Sequence, residues 1–197
     1  MKKRDFLKAG LLGLGVFMLP GKSSALEFYP RPSDKKWAVL FGTWCGSSRD
    51  AGIWISEGMD GIANVFDVRE NPDLSKYDHI VIGGSVRSNE VHPGLMEYLE
   101  KNREVIDGKV RGLFAICGNM MQPVGEEQHS AFIDYQLSTK TGAFNVPSKV
   151  FLGRITWGLM EPDVRERMQS YPNMYEYDNL NRMDCLAFGR QILEKTS

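Results

Sequence analysis

Apolar residues fall in five short runs along the chain. Trp37-Ala38-Val39-Leu40-Phe41 leads into Gly42, Ile80-Val81-Ile82 into Gly83-Gly84, 112–117 (GLFAIC) into Gly118, and Val150-Phe151-Leu152 into Gly153. The fifth, 63–68 (ANVFDV), is closed by Asn71-Pro72-Asp73. Unbroken apolar runs of this length predict strands buried on both faces. Helical spacing fills the gaps. Ala51, Ile55 and Met59 share one stripe with Trp54 beside it, and Leu95, Tyr98 and Leu99 follow Pro93, which suits the first position of a helix. A helix is expected over 128–137 and a closing one over 179–195, where Met183, Leu186, Ala187, Ile192 and Leu193 alternate with polar positions. Strands alternating with helices predict right-handed βαβ units, hence an α/β fold with a parallel sheet covered on both faces.

Two stretches stand outside that rhythm. Residues 26–36, with Pro30 and Pro32, read as an extended lead-in. Residues 156–178 hold Trp157, Met160, Met168, Tyr171, Met174, Tyr175 and Tyr177 without a clear period. Pro162 can open a short helix there; the segment is expected to be a packed loop, or else a lid or contact surface. There is no internal repeat and no low-complexity linker.

The 197 residues, 42% hydrophobic and 25% charged, suffice for one well-buried domain, expected over 35–197, and exclude a disordered chain. Residues 1–25 are set apart. A basic start (Lys2, Lys3, Arg4, Lys8) precedes eleven apolar residues, 9–19, then Pro20-Gly21 and the small residues Ser23-Ser24-Ala25. Eleven residues are too few to span a bilayer, which takes about 20, so the segment is expected to be a signal peptide that leaves no stable membrane span after cleavage. Lys3-Arg4-Asp5-Phe6-Leu7-Lys8 resembles the twin-arginine export motif, with Lys3 in place of the first arginine. That resemblance implies export of a folded protein to the periplasm; general secretion is the other route.

Loss of that segment changes the electrostatics. Lys2, Lys3, Arg4, Lys8 and Lys22 stand against Asp5, so removing this net +4 takes the chain from −1 to −5. An acidic chain without a basic cluster is a poor partner for nucleic acid. Cys45, Cys117 and Cys185 lack metal-ligand or C-x-x-C spacing, so no metal site is expected, and their disulfide state stays open.

In a doubly wound sheet, ligands bind beyond the carboxyl ends of the strands, where strand order reverses. Three Gly-bearing loops leave strand ends here: 43–48, 84–89 and 118–122. The first carries hydroxyls and glycine between a buried strand and a helix, which suits an anion, because loop N–H groups and the positive end of the helix dipole point at it. An ordinary βα turn would need the same glycine.

The run resembles flavodoxin. The phosphate loop of that family, T/S-x-T-G-x-T, is matched by Thr43-Trp44-Cys45-Gly46-Ser47-Ser48 at Thr43, Gly46 and Ser48, with Cys45 replacing a hydroxyl residue. The chain is most similar to the flavodoxin-like family that includes menaquinone-dependent protoporphyrinogen dehydrogenase. The matching features are Tyr77-Asp78-His79-Ile80-Val81-Ile82-Gly83-Gly84-Ser85-Val86-Arg87, then His92, the strand end Gly153-Arg154-Ile155, and the closing helix. Those relatives carry a longer basic insertion before the last helix; residues 156–178 are shorter and mixed in charge.

The resemblance implies a three-layer, five-stranded parallel sheet of order 2-1-3-4-5 and non-covalent FMN. The 5′-phosphate would sit on Thr43, Gly46, Ser47 and Ser48, with Trp44 and Cys45 in the same loop. The ring would lie between Ser85, Val86, Arg87, Ser88 and Asn89 on one side and Cys117, Gly118, Asn119 and Met120 on the other. Trp44 either covers the ring or ribityl chain or packs as an ordinary aromatic. Arg87 is either a cation raising the flavin potential or a loop arginine paired with Glu90 or a neighbouring carboxylate. His79, His92 and His129 are assigned no catalytic role.

The function expected is electron transfer or flavin-dependent oxidoreduction, with a redox protein or quinone-type small molecule as partner. A second reading is a flavodoxin-fold binding module that has lost FMN. A hydrolase would want G-x-S-x-G, and 83–87 lacks its second glycine. A phospho-receiver would want acidic residues after the first strand, where Gly42 and Thr43 stand.

Overall fold

A computed structural model describes residues 30–118 and 124–196. The segment read as a signal peptide lies outside the described residues, as do Asn119 and Met120. No helix among the described residues is long and apolar enough to cross a membrane.

The elements in chain order are β1 (Trp37–Gly42), α1 (Ser47–Gly58), β2 (Ala63–Asp67), β3 (His79–Arg87), β4 (Glu90–Val91), α2 (Pro93–Lys101), α3 (Arg103–Ile106) and β5 (Val110–Cys117). After these come α4, β6 (Ser148–Leu152), β7 (Arg154–Ile155), α5 (Pro162–Gln169), β8 (Tyr177–Asp178) and α6 (Arg182–Thr196). Helix α4, residues 126–141, runs as Glu126–His129, a π-helical stretch Ser130–Ser138, and Thr139–Thr141. Five parallel strands pair in the order β2-β1-β3-β5-β6, and β4 adds an antiparallel edge to the end of β3. Taking the parallel strands alone, this is the expected order 2-1-3-4-5.

The strand faces sort the core. On one side Val39, Phe41, Val81, Phe114 and Ile116 pack with Ala51 and Ile55 of α1 and Phe188 and Ile192 of α6. On the other, Leu40, Ile80, Ile82 and Leu113 pack with Leu95 and Leu99 of α2 and Phe132 and Leu137 of α4. Alternate residues of one strand therefore feed both layers, which is why the runs are unbroken in sequence.

Two expectations are corrected, on 85–89 and 156–178, and the expected helix over 128–137 is present with a π-helical middle. Residues 85–87 are the last turn of strand β3, not loop; only Ser88 and Asn89 turn, both at positive φ (53° and 64°), as a two-residue hairpin requires. The hairpin extends β3 because Val86 and Arg87 find ladder partners in Val91 and Glu90. The middle of α4 is π-helical, which the apolar spacing of 128–137 did not signal. The stretch 156–178 is no packed loop: it holds a 3₁₀ turn, Trp157–Leu159, and α5, and its last two residues, β8, pair with β7 just before it.

Candidate functional site

Strand order reverses between β1 and β3, and a cleft of about 570 Å³ opens at their carboxyl ends. Its size suits a cofactor or drug-sized ligand.

The floor is the 43–48 loop. Gly46 sits at φ 81° as the residue before α1, a left-handed conformation that costs other residues about 1–2 kcal/mol. Its N–H donates to Thr43 Oγ1 at 3.0 Å, which closes the loop on itself. No side chain caps α1, so the N–H groups of its first turn have no partner within the helix. Thr43, Ser47 and Ser48 are all buried, and Ser48 Oγ is buried with no hydrogen-bond partner. A buried hydroxyl beside uncapped amides is a costly arrangement unless an acceptor arrives. This loop fits a phosphate.

Thr43, Trp44, Cys45 and Ser47 line the cleft; Gly46 and the buried Ser48 belong to the same loop without lining it. Trp44 contacts two groups. The His92 ring centroid lies 4.7 Å from that of Trp44, tilted by 49°, and the Arg87 guanidinium carbon stands 4.3 Å over the Trp44 ring. Gly42 makes room for His92: a Cβ there would come within 2.9 Å of the imidazole. Burial lowers the basicity of His92, whose Nδ1 has no partner, so it is a neutral backing for Trp44. Burial also pushes the Cys45 thiol up, against the opposing pull of Arg87.

Ser85, Val86, Arg87, Ser88 and Asn89 form a second wall and Cys117 and Gly118 a third, so of the described residues expected there all but Gly46 and Ser48 line the cleft. No disulfide joins Cys45, Cys117 or Cys185. Arg87 pairs with Glu161 at 3.2 Å rather than with Glu90, its neighbour in the hairpin. It also lines the cleft.

Two sets of lining residues were not anticipated. Arg154 follows β6 through Gly153 and is tied to Asp50 of α1 and, at 3.6 Å, to Asp178; its Nε is buried without a partner. It sits against the floor loop, with Nη2 3.5 Å from where a Cβ on Gly46 would stand. Its signal was the Gly-Arg-Ile strand end. The second set is a roof of Met160, Val164, Arg167, Met168 and Tyr171 from α5 and its flanks. These recur at i, i+4, i+7, i+8 and i+11, a helical stripe that marks them in sequence once the register is tried. Among the described residues no cluster of His, Cys, Asp and Glu is arranged to hold a metal ion.

Known proteins agree with this architecture. No curated protein matches the chain. Flavodoxin 1 from Bacillus cereus superposes with a TM-score of 0.53 at 17% identity, covering 82% of this chain and 99% of that one. The flavodoxin-like WrbA-like protein from Agrobacterium tumefaciens gives 0.53 at 10% identity, covering 82% and 98%. Fusobacterium nucleatum flavodoxin bound to flavin mononucleotide gives 0.50 at 15% identity, covering 82% and 97%. At such identities the likeness concerns the fold. The family model described as the flavodoxin domain matches residues 38–178, and over that span the floor loop, the sheet order and the cleft at the switch point are those of one domain. The chain belongs to the flavodoxin domain family.

Proposed function

We propose that this protein is an exported flavoprotein that holds FMN non-covalently in the cleft and uses it for electron transfer or flavin-dependent oxidoreduction. The observation that carries the reading is the buried Ser48 Oγ without a partner, beside a helix start that no side chain caps. A phosphate dianion answers both needs at once. The FMN in the Fusobacterium nucleatum structure gives the reading further support.

FMN, once bound, supplies reversible uptake of electrons. The chain supplies the rest. Thr43, Ser47 and Ser48 offer hydroxyls and amides to the phosphate, and Gly46 lets the backbone approach it closely. Trp44, Val86, Met160 and Met168 give apolar faces that exclude water from the ring. Arg87 and Arg154 hold positive charge at the wall.

The test is an absorption spectrum with mass analysis of released cofactor, on protein made with its leader intact. The wild type is expected to be yellow and to release FMN. Replacing Thr43 and Ser48 together by Glu should abolish retained flavin, and unchanged occupancy would refute the phosphate assignment.

The same reading places the protein in the periplasm after removal of residues 1–25, by the twin-arginine route, with a redox protein or quinone-type molecule as partner. The motif order is most like the protoporphyrinogen dehydrogenase type. Fractionation of cells with and without the twin-arginine translocase checks the route: precursor should accumulate in the cytoplasm when it is absent. The second reading, a binding module without FMN, draws on Cys45 in the floor loop and on the exposed Tyr171 of the roof and Tyr175 that follows it. A colourless protein that refuses FMN in titration would favour it.

A further inference from the structure

The charges around the cleft are arranged one-sidedly. Among the described residues Arg87, Arg154 and Arg167 line it, and no aspartate or glutamate does. Glu161, Asp50 and Asp178, which pair with Arg87 and Arg154, lie outside the lining. Arg87 and Arg154 thus reach the cleft with carboxylate partners at their guanidinium ends. Arg167, on α5, makes no ion pair among the described residues, so its charge is the least neutralised of the three.

We propose that this cleft binds the reduced, anionic form of FMN more tightly than the oxidised form, with Arg167 the residue that sets the preference. The inference rests on the FMN reading and specifies the direction in which that site is tuned. Both forms share the phosphate, so the floor loop does not distinguish them. The reduced form at neutral pH carries one further negative charge, spread over the ring system, and the arginines at the wall meet that difference. Tighter binding of the reduced form raises the midpoint potential of the bound cofactor in proportion to the ratio of the two dissociation constants. The protein would then favour accepting electrons over donating them. A cation at the wall of a partly open cleft is worth about tenfold in such a ratio after screening.

The experiment uses the full chain without its leader. Dissociation constants are measured anaerobically for FMN and for dithionite-reduced FMN, and the midpoint potential is measured by spectroelectrochemistry. Reduced FMN is expected to bind at least tenfold more tightly, placing the two-electron midpoint about 30 mV or more above that of free FMN. Arg167→Gln should cut the ratio by about tenfold, and Arg167→Lys should keep most of it. Arg165→Gln removes the same charge from the same helix at a position that does not line the cleft, and should leave the ratio as it was. Equal or tighter binding of the oxidised form, or the same shift from Arg165→Gln as from Arg167→Gln, overturns the inference while leaving FMN binding intact. Failure to bind either form removes the FMN reading and this inference with it.

Discussion

At the scale of single residues, the molecule stores two histidines in their neutral form. His79 lies 4.5 Å from the ring of Trp37, and His92 backs Trp44; each has a buried Nδ1 without a partner. Burial lowers the basicity of both, with the positive charge of Arg111 acting the same way on His79 and that of Arg69 and Arg87 on His92; Asp78 and Asp67 oppose this without reversing it. The unfolded chain titrates these rings near 6.5, so below that pH it binds more protons than the folded one. Stability is therefore full above about pH 6.5 and falls as the pH drops below it. Urea midpoints at pH 7.5 and 5.5 should differ in that direction, and the His79→Gln, His92→Gln double variant should narrow the gap. A midpoint indifferent to pH across this range would show that the rings are solvated.

At the scale of elements, the tightest contact is between α1 and α6. Two glycines let the helices touch backbone to backbone: a Cβ on Gly58 would collide with the Leu186 carbonyl, and one on Gly189 with the Ile55 carbonyl. Backbone cannot yield as a side-chain tip can. Gly189→Ala should cost about 3 kcal/mol, at the upper end of overpacking penalties, read as a lower urea midpoint with an unchanged slope. Here the limits of sequence reading are visible. The strands were legible because alternate residues of β1, β3 and β5 feed two cores, leaving runs such as Val39-Leu40-Phe41 unbroken. The floor loop was legible because hydroxyls and glycine follow such a run. Gly189 gave no sign, since a glycine inside a helix carries the same letter whether it permits contact or only weakens the helix. The β3–β4 hairpin was missed because Ser88-Asn89 is not one of the strongest turn pairs. The roof escaped because its apolar residues face a cleft rather than the main core, and α5 buries only Val164.

At the scale of the whole molecule, charge is distributed against its average. The chain carries a net −1, and −5 without residues 1–25, yet the lining of the cleft at the switch point is cationic. Paired arginines hold distant parts of the fold together there. Arg154 ties the exit of β6 to the first turn of α1, and Arg87 ties the β3 end to the approach to α5. Glu161→Gln should release the second tie. Amide exchange over 160–170 is then expected to speed up several-fold, with the exchange of β1 and β3 unchanged.

The β7–β8 pair gives the roof a further property. Arg154 and Ile155 lie opposite Asp178 and Tyr177, and the Asn179 N–H returns to the Gly153 carbonyl at 3.0 Å, so the excursion starts and finishes at one point. A segment whose two stems already meet behaves as an exchangeable cassette. Replacing 157–175 with a tight two-residue turn should leave a folded sheet whose thermal transition stays cooperative, with its cleft open to larger ligands. Descendants of such a chain could therefore trade one roof for another, and with it the molecules they serve, without renegotiating the rest of the protein.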